Sequence, residues 1–326
     1  MVYIISEIAS AHNGSSKNLE KLINFAIESK ADAVKIQIFK TSKLLQNKHK
    51  NYNFFKKIEI PHFKIAKILN KIKTKKIQII LEPYDMDSLD FIKKNIKNYH
   101  AIKIPTSDTK NIKFIKEICK LKKKILLGTA GLDKYDIKRV IKNFSKKKVV
   151  LIEGFQNFPT NFLNVNFTKL KLIKNLFKCT VGYADHSDSR NIGLTYSLCS
   201  LAIINGANII EKHIILDRKK KYPDFETGLN PHEFKEFVSF FKKFKFLNKN
   251  KEFKINTNEL IYKNKFKKYL VANKNLEKGS IINEDEINFK RVDKPSNSFF
   301  DEIKSILGKK LVNKKKIDSP FSKKDF

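Results

Sequence analysis

The sequence has 326 residues, enough for one large domain with a small one, or for two of medium size. No apolar run reaches the roughly 18–20 residues that a membrane span needs, and the N-terminus lacks the basic lead and cleavage site of a signal peptide. The three cysteines, Cys119, Cys179 and Cys199, have no CxxC spacing, which is typical of reduced thiols. We therefore expect a cytoplasmic protein without a membrane partner.

The formal net charge of +35 admits two interpretations. A strongly basic chain is typical of nucleic-acid binding, because phosphate contacts dominate that affinity. However, 64 of the 68 basic residues are lysine and only four are arginine, whereas dedicated phosphate and base readers favour the planar arginine fork. The lysines are also spread along the whole chain. This favours drift toward A/T-rich codons, so we predict no nucleic-acid partner, although the positive field would attract anionic small substrates.

Short apolar segments alternate with longer amphipathic ones that carry apolar residues at i, i+3 and i+4. Eight strands with helices between them over about 215 residues are the count and size of a (β/α)8 TIM barrel. A doubly wound α/β sheet is the weaker alternative, because no GxGxxG follows a strand. The predicted strands are Val2–Ile8, Ala33–Ile38, Ile77–Leu81, Ala101–Ile104, Ile125–Leu127, Val149–Ile152, Thr180–Tyr183 and Asn208–Glu211.

The domain organisation follows from changes in composition. Residues 1–246 form the predicted barrel domain, which ends with a helix from Pro231. Residues 247–265 are polar and rich in asparagine and lysine, which predicts a linker. From residue 266 to 326 the pattern changes to short strands with turn residues, so we predict a second, small and mostly β domain there.

Two histidines, His186 and His213, lie where predicted strands give way to loops. A lone histidine is more often a satisfied surface or core residue than a ligand. Here Asp185, Glu211 and Asp224 lie nearby in the sequence, which gathers acids, bases and metal-ligand types at strand ends. In a TIM barrel the active site is built from the loops at this end, so the pattern predicts the rim of an active site, where two histidines at adjacent strand ends can share one metal ion.

Chemically unusual residues follow every predicted strand, in the order EIASAHNG, VKIQ, EPYD, KIPTSD, GTAG, EGFQNFPT, YADH and EKH. This ordered set resembles the sialic acid synthase (N-acetylneuraminate synthase) family. The segment LVANKNLEKGSIINEDEINFKRV looks like that family's C-terminal antifreeze-like (SAF) domain. The resemblance covers nearly the whole chain. It implies an enzyme that condenses phosphoenolpyruvate with an N-acylated hexosamine to give a nonulosonic acid and phosphate.

The resemblance also assigns roles to residues. His186 and His213 would hold Mn²⁺ or Mg²⁺, with Gln37 directed at the metal or its water. Lys35 and Lys103 would neutralise the phosphate and carboxylate of phosphoenolpyruvate, because such an anion must be held by cations or donors. The other residues implied in substrate binding are Tyr84, Thr106, Gln156, Phe158, Asp185, Asp224 and Arg291.

Two carboxylates, Glu7 and Asp108, are the candidates for handling protons, with a structural role as partners of Lys35 or Lys103 as the open alternative. The family's counterpart of Arg291 comes from a partner subunit, which implies a domain-swapped homodimer. The implied mechanism joins C3 of phosphoenolpyruvate to a metal-polarised aldehyde, adds water at C2 and expels phosphate.

Several positions depart from the family pattern. Glu82 stands where a small hydroxyl residue is common near the phosphate, and Gly128 and Ala184 replace serines. Phe158 replaces a tyrosine, which predicts a more apolar sugar pocket. A 2,4-diacetamido-trideoxyhexose is therefore as plausible an acceptor as N-acetylmannosamine. Two alternatives stay open: a catalytically impaired sugar-binding member of the family, and another phosphoenolpyruvate-dependent ulosonate synthase.

Overall fold

The computed structural model describes residues 2–72, 77–244 and 254–326. The chain divides into two compact units, Met1–Lys249 and Asn250–Phe326. The predicted end of the barrel domain at residue 246 and the predicted linker up to residue 253 lie outside the described residues.

The first unit is a closed barrel of eight parallel strands in sequential order, with β1 paired to β8. This confirms the predicted (β/α)8 fold. Strands β7 and β8 each run two residues further than predicted, so His213 is the last residue of its strand. The strands are β1 Tyr3–Glu7, β2 Ala33–Ile38, β3 Gln78–Pro83, β4 Ala101–Ile104, β5 Lys124–Gly128, β6 Val149–Glu153, β7 Thr180–Asp185 and β8 Ile209–His213.

Helices surround the barrel and connect its strands. Three of them follow β2, where the sequence predicted only the last one, because the first two have only four and seven residues and are too short to show a helical period. The helices of this unit are α1 Ser16–Glu28, α2 Thr41–Leu44, α3 Tyr52–Ile58, α4 His62–Ile72, α5 Met86–Asn95, α6 Ile112–Lys120, α7 Lys134–Ile141, α8 Phe167–Phe177, α9 Ile192–Ile204 and α10 Pro231–Phe244. None of the helices in the described ranges has the length and apolar character to cross a bilayer.

Short polar side chains begin several of these helices. Ser15, Asp85 and Asn111 each accept a hydrogen bond from a backbone N–H in the first turn of α1, α5 and α6. Such caps satisfy donors that the helix itself leaves free, and each contributes about 1 kcal/mol. The caps fix where each helix starts, and therefore how long the preceding loop at the barrel mouth is.

The barrel interior is layered along the strand direction. Side chains two residues apart point to the same face of a strand. Small and branched residues such as Ile5, Ala33, Ile80 and Ile209 fill the lower interior. Two residues further along the same strands, the inward positions are occupied by Glu7, Lys35, Glu82 and Glu211. An apolar layer therefore closes the barrel beneath a charged one.

The second unit contains helix α11 (Thr257–Phe266) and an antiparallel pair, β9 (Tyr269–Ala272) and β10 (Ile287–Lys290). Its core includes Leu270, Ile282 and Phe321. All of helix α11 except Phe266 lies within the segment predicted as a linker. Its helical sequence went unrecognised because none of its residues is buried, and therefore no apolar stripe marks it.

Candidate active site

A cavity of about 330 Å³ opens at the C-terminal end of the barrel strands. The mouth of a TIM barrel is where the loops can bring side chains from all eight strands together. Most of the predicted site residues line this cavity. They are Glu7, Lys35, Gln37, Tyr84, Lys103, Thr106, Gln156, Phe158, His186, His213 and Asp224.

The floor of the cavity is a cluster of two lysines and three carboxylates, called here the lysine–carboxylate cluster: Lys35, Lys103, Glu7, Glu82 and Glu211. One oxygen of Glu211 accepts from both lysines, at 2.9 Å from Lys35 and 2.7 Å from Lys103. Lys35 also pairs with Glu7, and with Glu82 at 2.9 Å. Glu82 is therefore compensated, and Glu7 is a direct partner of Lys35.

The charges of this cluster depend on one another because all of its side chains are buried. Burial alone would raise the pKa of Glu211, but Lys103 and Lys35 hold it well below its usual range. Burial would likewise lower the pKa of Lys103, and Glu211 and Glu82 raise it instead. The sequence indicates Glu211 only as a neighbour of His213, without a role. Its position two residues before an inward-facing histidine on the same strand is the signal that would have put it inside the barrel.

His186 and His213 meet at one side of the mouth, with ring centroids 5.3 Å apart. Nδ1 of His186 donates to the carbonyl oxygen of Phe155 at 2.9 Å, so its Nε2 carries a free lone pair. Burial lowers the pKa of His186 to about 4. Burial, and then the neighbouring His186, lower the pKa of His213 well below its ordinary value. Both imidazoles are therefore neutral at neutral pH.

Asp224 reaches the same site from the loop after β8. Its Oδ1 lies 3.8 Å from Nδ1 of His213, and its Oδ2 accepts the backbone N–H of Ser10 at 3.0 Å. Burial raises the pKa of Asp224 to about 6, so it can exchange a proton near neutral pH. Asp224 and Ala9 both adopt positive φ, at 67° and 40°. Backbone strain of this kind occurs where the surrounding structure holds a functional loop.

Two departures from the family pattern, one near the predicted phosphate region and one in the predicted sugar pocket, differ in what surrounds them. A Cβ added at Gly128 would lie 3.1 Å from Oγ1 of Thr106, so the absence of a side chain there leaves room for the threonine. Phe158 packs edge-on against His186, with centroids 4.7 Å apart, and remains 47 % exposed. Phe158 therefore presents an apolar ring to the histidines at the cavity mouth, which Asp224 reaches with a carboxylate.

Three predicted residues do not line the cavity. Asp108 sits in the short turn after β4, where its carboxylate accepts from Ser107 and Asn111 rather than from Lys103. The prediction that Asp185 contacts substrate does not fit its position, because it is fully buried on the outer face of β7 and pairs with Lys212 at 2.5 Å. Neighbouring strand residues point to opposite faces, so an inward His186 requires an outward Asp185. Arg291 belongs to the second unit.

The histidine pair fits a divalent metal by its donor chemistry. Both rings are neutral, one has its tautomer fixed by a carbonyl, and Nδ1 of His213 is buried without a hydrogen-bond partner among the described residues. Within the described ranges no three acidic, histidine or cysteine side chains are grouped to hold a metal. The protein would thus supply two imidazoles and leave the other coordination positions to water or substrate.

Comparison with known proteins agrees with this architecture. Residues 22–252 match the NeuB family, and residues 267–326 match the SAF domain. The chain belongs to the NeuB family. This confirms the family resemblance drawn from the sequence, including the small C-terminal domain.

Relatives of this NeuB-family chain cover almost its full length. It is 30% identical to N,N'-diacetyllegionaminic acid synthase of Campylobacter jejuni, over 88% of this chain and 90% of the relative. It is 25% identical to pseudaminic acid synthase of the same species, over 100% of this chain and 96% of the relative. A crystal structure of N-acetylneuraminic acid (sialic acid) synthetase from Leptospira borgpetersenii shares the fold, with a TM-score of 0.71 at 22% identity, over 81% of this chain and 92% of that one.

Proposed function

We propose that this NeuB-family chain condenses phosphoenolpyruvate with an N-acylated hexosamine to give a nonulosonic acid and phosphate. The observation that carries the proposal is the pair of buried lysines, Lys35 and Lys103, at the floor of the cavity. One carboxylate oxygen of Glu211 accepts from both lysines, and two neutral histidines lie at the mouth of the same cavity. The names of the legionaminic and pseudaminic acid synthases among its relatives support the same reaction class.

In this proposal Lys35 and Lys103 hold the carboxylate and phosphate of phosphoenolpyruvate. Buried cations in a site of low dielectric bind an anion far more strongly than exposed ones. Thr106 contributes a hydroxyl donor from the adjacent wall, beside Gly128. The donor's C3 would then face the two histidines.

The metal in this proposal is Mn²⁺ or Mg²⁺, held by His186 and His213, and when bound it supplies a Lewis acid that polarises the acceptor aldehyde. Asp224, 3.8 Å from His213, orients the acceptor hydroxyls, and its pKa of about 6 lets it take or give a proton there. Glu7, fixed by Lys35 and by the N–H of Ala9 at 2.7 Å, is the second candidate for proton transfer.

The bond changes balance with water as the third reactant. C3 of phosphoenolpyruvate forms the new C–C bond to the aldehyde carbon, and the aldehyde oxygen takes a proton to become a hydroxyl. Water adds at C2, losing a proton to a base such as Glu7. The tetrahedral centre then expels phosphate by C–O cleavage, its new hydroxyl gives its proton to the departing phosphate, and C2 becomes the keto carbon of the product.

The shape of the mouth favours an acceptor with fewer hydroxyl groups. Phe158 presents a ring without a hydroxyl next to both histidines. A second cavity of about 480 Å³ shares Phe158 and Asp224 with the central one and adds Phe54 and Phe225 to its walls. The aromatic part of this surface, which also carries Lys57, Lys221 and Glu226, suits acyl and deoxy substituents, so we propose a 2,4-diacetamido-trideoxyhexose ahead of N-acetylmannosamine.

The decisive experiment measures phosphate release from phosphoenolpyruvate with Mn²⁺ and each acceptor in turn. We expect release that depends on a sugar and is lost in His213→Ala. His232→Ala is the matched control, because that histidine is exposed on α10 and should leave the rate unchanged. Absence of release with every acceptor, in folded and metal-loaded protein, would instead support the catalytically impaired sugar-binding alternative, which the pairing of Glu82 with Lys35 favours.

We also propose a domain-swapped homodimer in the cytoplasm, in which Arg291 of one subunit contacts the sugar bound by the other. Arg291 lies over the ring of Phe266 at 4.7 Å in the second unit, and its side chain is exposed. Mixing the separately inactive variants Arg291→Ala and His213→Ala tests the swap. Exchange of subunits should restore about a quarter of the activity if the arginine acts on the partner's site, and none if it acts on its own.

A further inference from the structure

The charge of the lysine–carboxylate cluster is unfavourable for a second anion. Three carboxylates surround two ammonium groups, so with all five groups ionised the cluster carries one more negative charge than positive. All five side chains are at most 8% exposed. A phosphate or carboxylate that enters the cavity therefore meets lysines whose charge is already satisfied.

The three carboxylates are not held equally. Glu211 bridges both lysines, and Glu7 also accepts the N–H of Ala9. Glu82 has the weakest hold, because its carboxylate pairs with Lys35 at 2.9 Å and stands 3.9 Å from Lys103, and no backbone N–H of the described residues donates to it.

A second hydrogen-bond partner for Glu82 lies on the neighbouring strand. It lies directly opposite Gln37 in the ladder between β2 and β3, and both side chains line the cavity. The amide of Gln37 can donate to a carboxylate. A swing of Glu82 from Lys35 toward Gln37 would free ammonium charge without leaving the carboxylate unpaired.

We propose that Glu82 is an internal competitor of the anionic substrate: its carboxylate occupies the anion position at Lys35 and Lys103, and a substrate anion binds only by displacing it. This inference rests on the proposed function, since the anion is that of the phosphoenolpyruvate donor. Glu82 thereby lowers the affinity for phosphoenolpyruvate, so a higher concentration of this donor is needed to fill the site. Removal of Glu82 leaves two lysines with two carboxylates. The positive and negative charges of the cluster are then equal in number, so we expect the variant chain to fold.

The test is calorimetric binding of inorganic phosphate and of phosphoenolpyruvate to the full chain. Glu82→Gln and Glu82→Thr should each bind both anions at least about tenfold more tightly than the wild type. Asp87→Asn is the matched control. It removes the same charge from an exposed residue that pairs with Lys40 and Lys43 at the surface, and it should bind like the wild type.

A kinetic readout separates this inference from the proposed function. In Glu82→Gln the KM for phosphoenolpyruvate should fall while the KM for the acceptor stays unchanged. Tighter anion binding without condensation of any acceptor would uphold the role of Glu82 and refute the synthase. Condensation by the wild type with no change in affinity or KM on substitution would refute the role of Glu82 and uphold the synthase.

A structure of the wild type with phosphate or phosphoenolpyruvate bound tests the same point without any variant. We expect the carboxylate of Glu82 to have left Lys35 and to accept from Gln37. An anion bound to the two lysines with Glu82 still 2.9 Å from Lys35 would overturn the proposal.

Discussion

Asp185 and Lys212 form an ion pair at 2.5 Å in which neither side chain is exposed. They are direct partners in the ladder between β7 and β8, on the outer face of the barrel. The residue that follows each of them in the chain is a histidine of the candidate metal site. The ion pair on one face therefore holds the two strand ends whose other face presents His186 and His213 at 5.3 Å.

Replacing Lys212 by methionine should lower the free energy of unfolding by about 3–5 kcal/mol, because Asp185 would be left as an uncompensated buried charge. Urea unfolding measures this. The double variant Asp185→Leu/Lys212→Met should recover a large part of the loss. Lys71→Met is the matched control, since its pair with Glu20 is more than 40% exposed and should contribute under about 1 kcal/mol. An equally small loss for Lys212→Met would show that the buried pair has no such role.

Metal binding should depend on both histidines. We expect the wild type to bind about one Mn²⁺ per chain by calorimetry or electron paramagnetic resonance, with His213→Gln and His186→Gln each weakening binding by at least about 10–100-fold, the loss that follows when even a hydrogen-bond partner of a ligand is removed. Prior treatment with a chelator should abolish sugar-dependent phosphate release, and added Mn²⁺ should restore it. Unchanged Mn²⁺ affinity in both variants would place the metal elsewhere or remove it from the proposal.

Acid should destabilise the protein through its buried histidines, among which His12 is not a candidate metal ligand. Burial lowers the pKa of this side chain to about 4, whereas the unfolded chain takes up the proton near 6.5. The unfolded state therefore binds more protons between these values, and stability is lost as pH falls from 6.5 to 4. Asp224, with its pKa raised to about 6, acts in the opposite direction, because its folded form gains stability as pH falls through 6.

His12→Asn isolates this contribution, since an asparagine oxygen can still accept the N–H of Gly14. Between pH 7 and pH 5 the variant should lose about 2 kcal/mol less unfolding free energy than the wild type. The exposed His232→Asn should follow the wild type, because its ring is solvated in both states. Parallel curves of unfolding free energy against pH for His12→Asn and the wild type would contradict a contribution of His12 to the acid sensitivity.

Phe158→Tyr should change acceptor selectivity. A hydroxyl at this exposed edge, next to both histidine rings, can hydrogen-bond a sugar hydroxyl that the phenylalanine leaves unpaired. We expect kcat/KM for N-acetylmannosamine to rise about 2–10-fold relative to that for a 2,4-diacetamido-trideoxyhexose. Phe158→Leu, which adds no hydroxyl, controls for the change of shape. The same ratio of kcat/KM values for the two acceptors in all three proteins would show that the side chain at this position does not discriminate between acceptors by their hydroxyl groups.

Local sequence was sufficient for much of the barrel. Apolar segments of strand length and amphipathic segments of helix length predicted all eight strands, because each pattern records which face of its own element is buried. Helices α2, α3 and α11 were missed for the same reason, since they are short or carry no buried face. The period-2 alternation of β7 also held the information that Asp185 points away from His186.

The sequence by itself determined which side chains stand at the strand ends, and therefore the two lysines, the two histidines and the acids around them. Only the tertiary structure decided their partners. Lys35 contacts carboxylates from β1, β3 and β8, which are brought together by the closure of β1 on β8 and by the register of neighbouring strands. Such pairings link residues up to 176 positions apart in the chain, and no local pattern encodes which buried acid will neutralise which lysine.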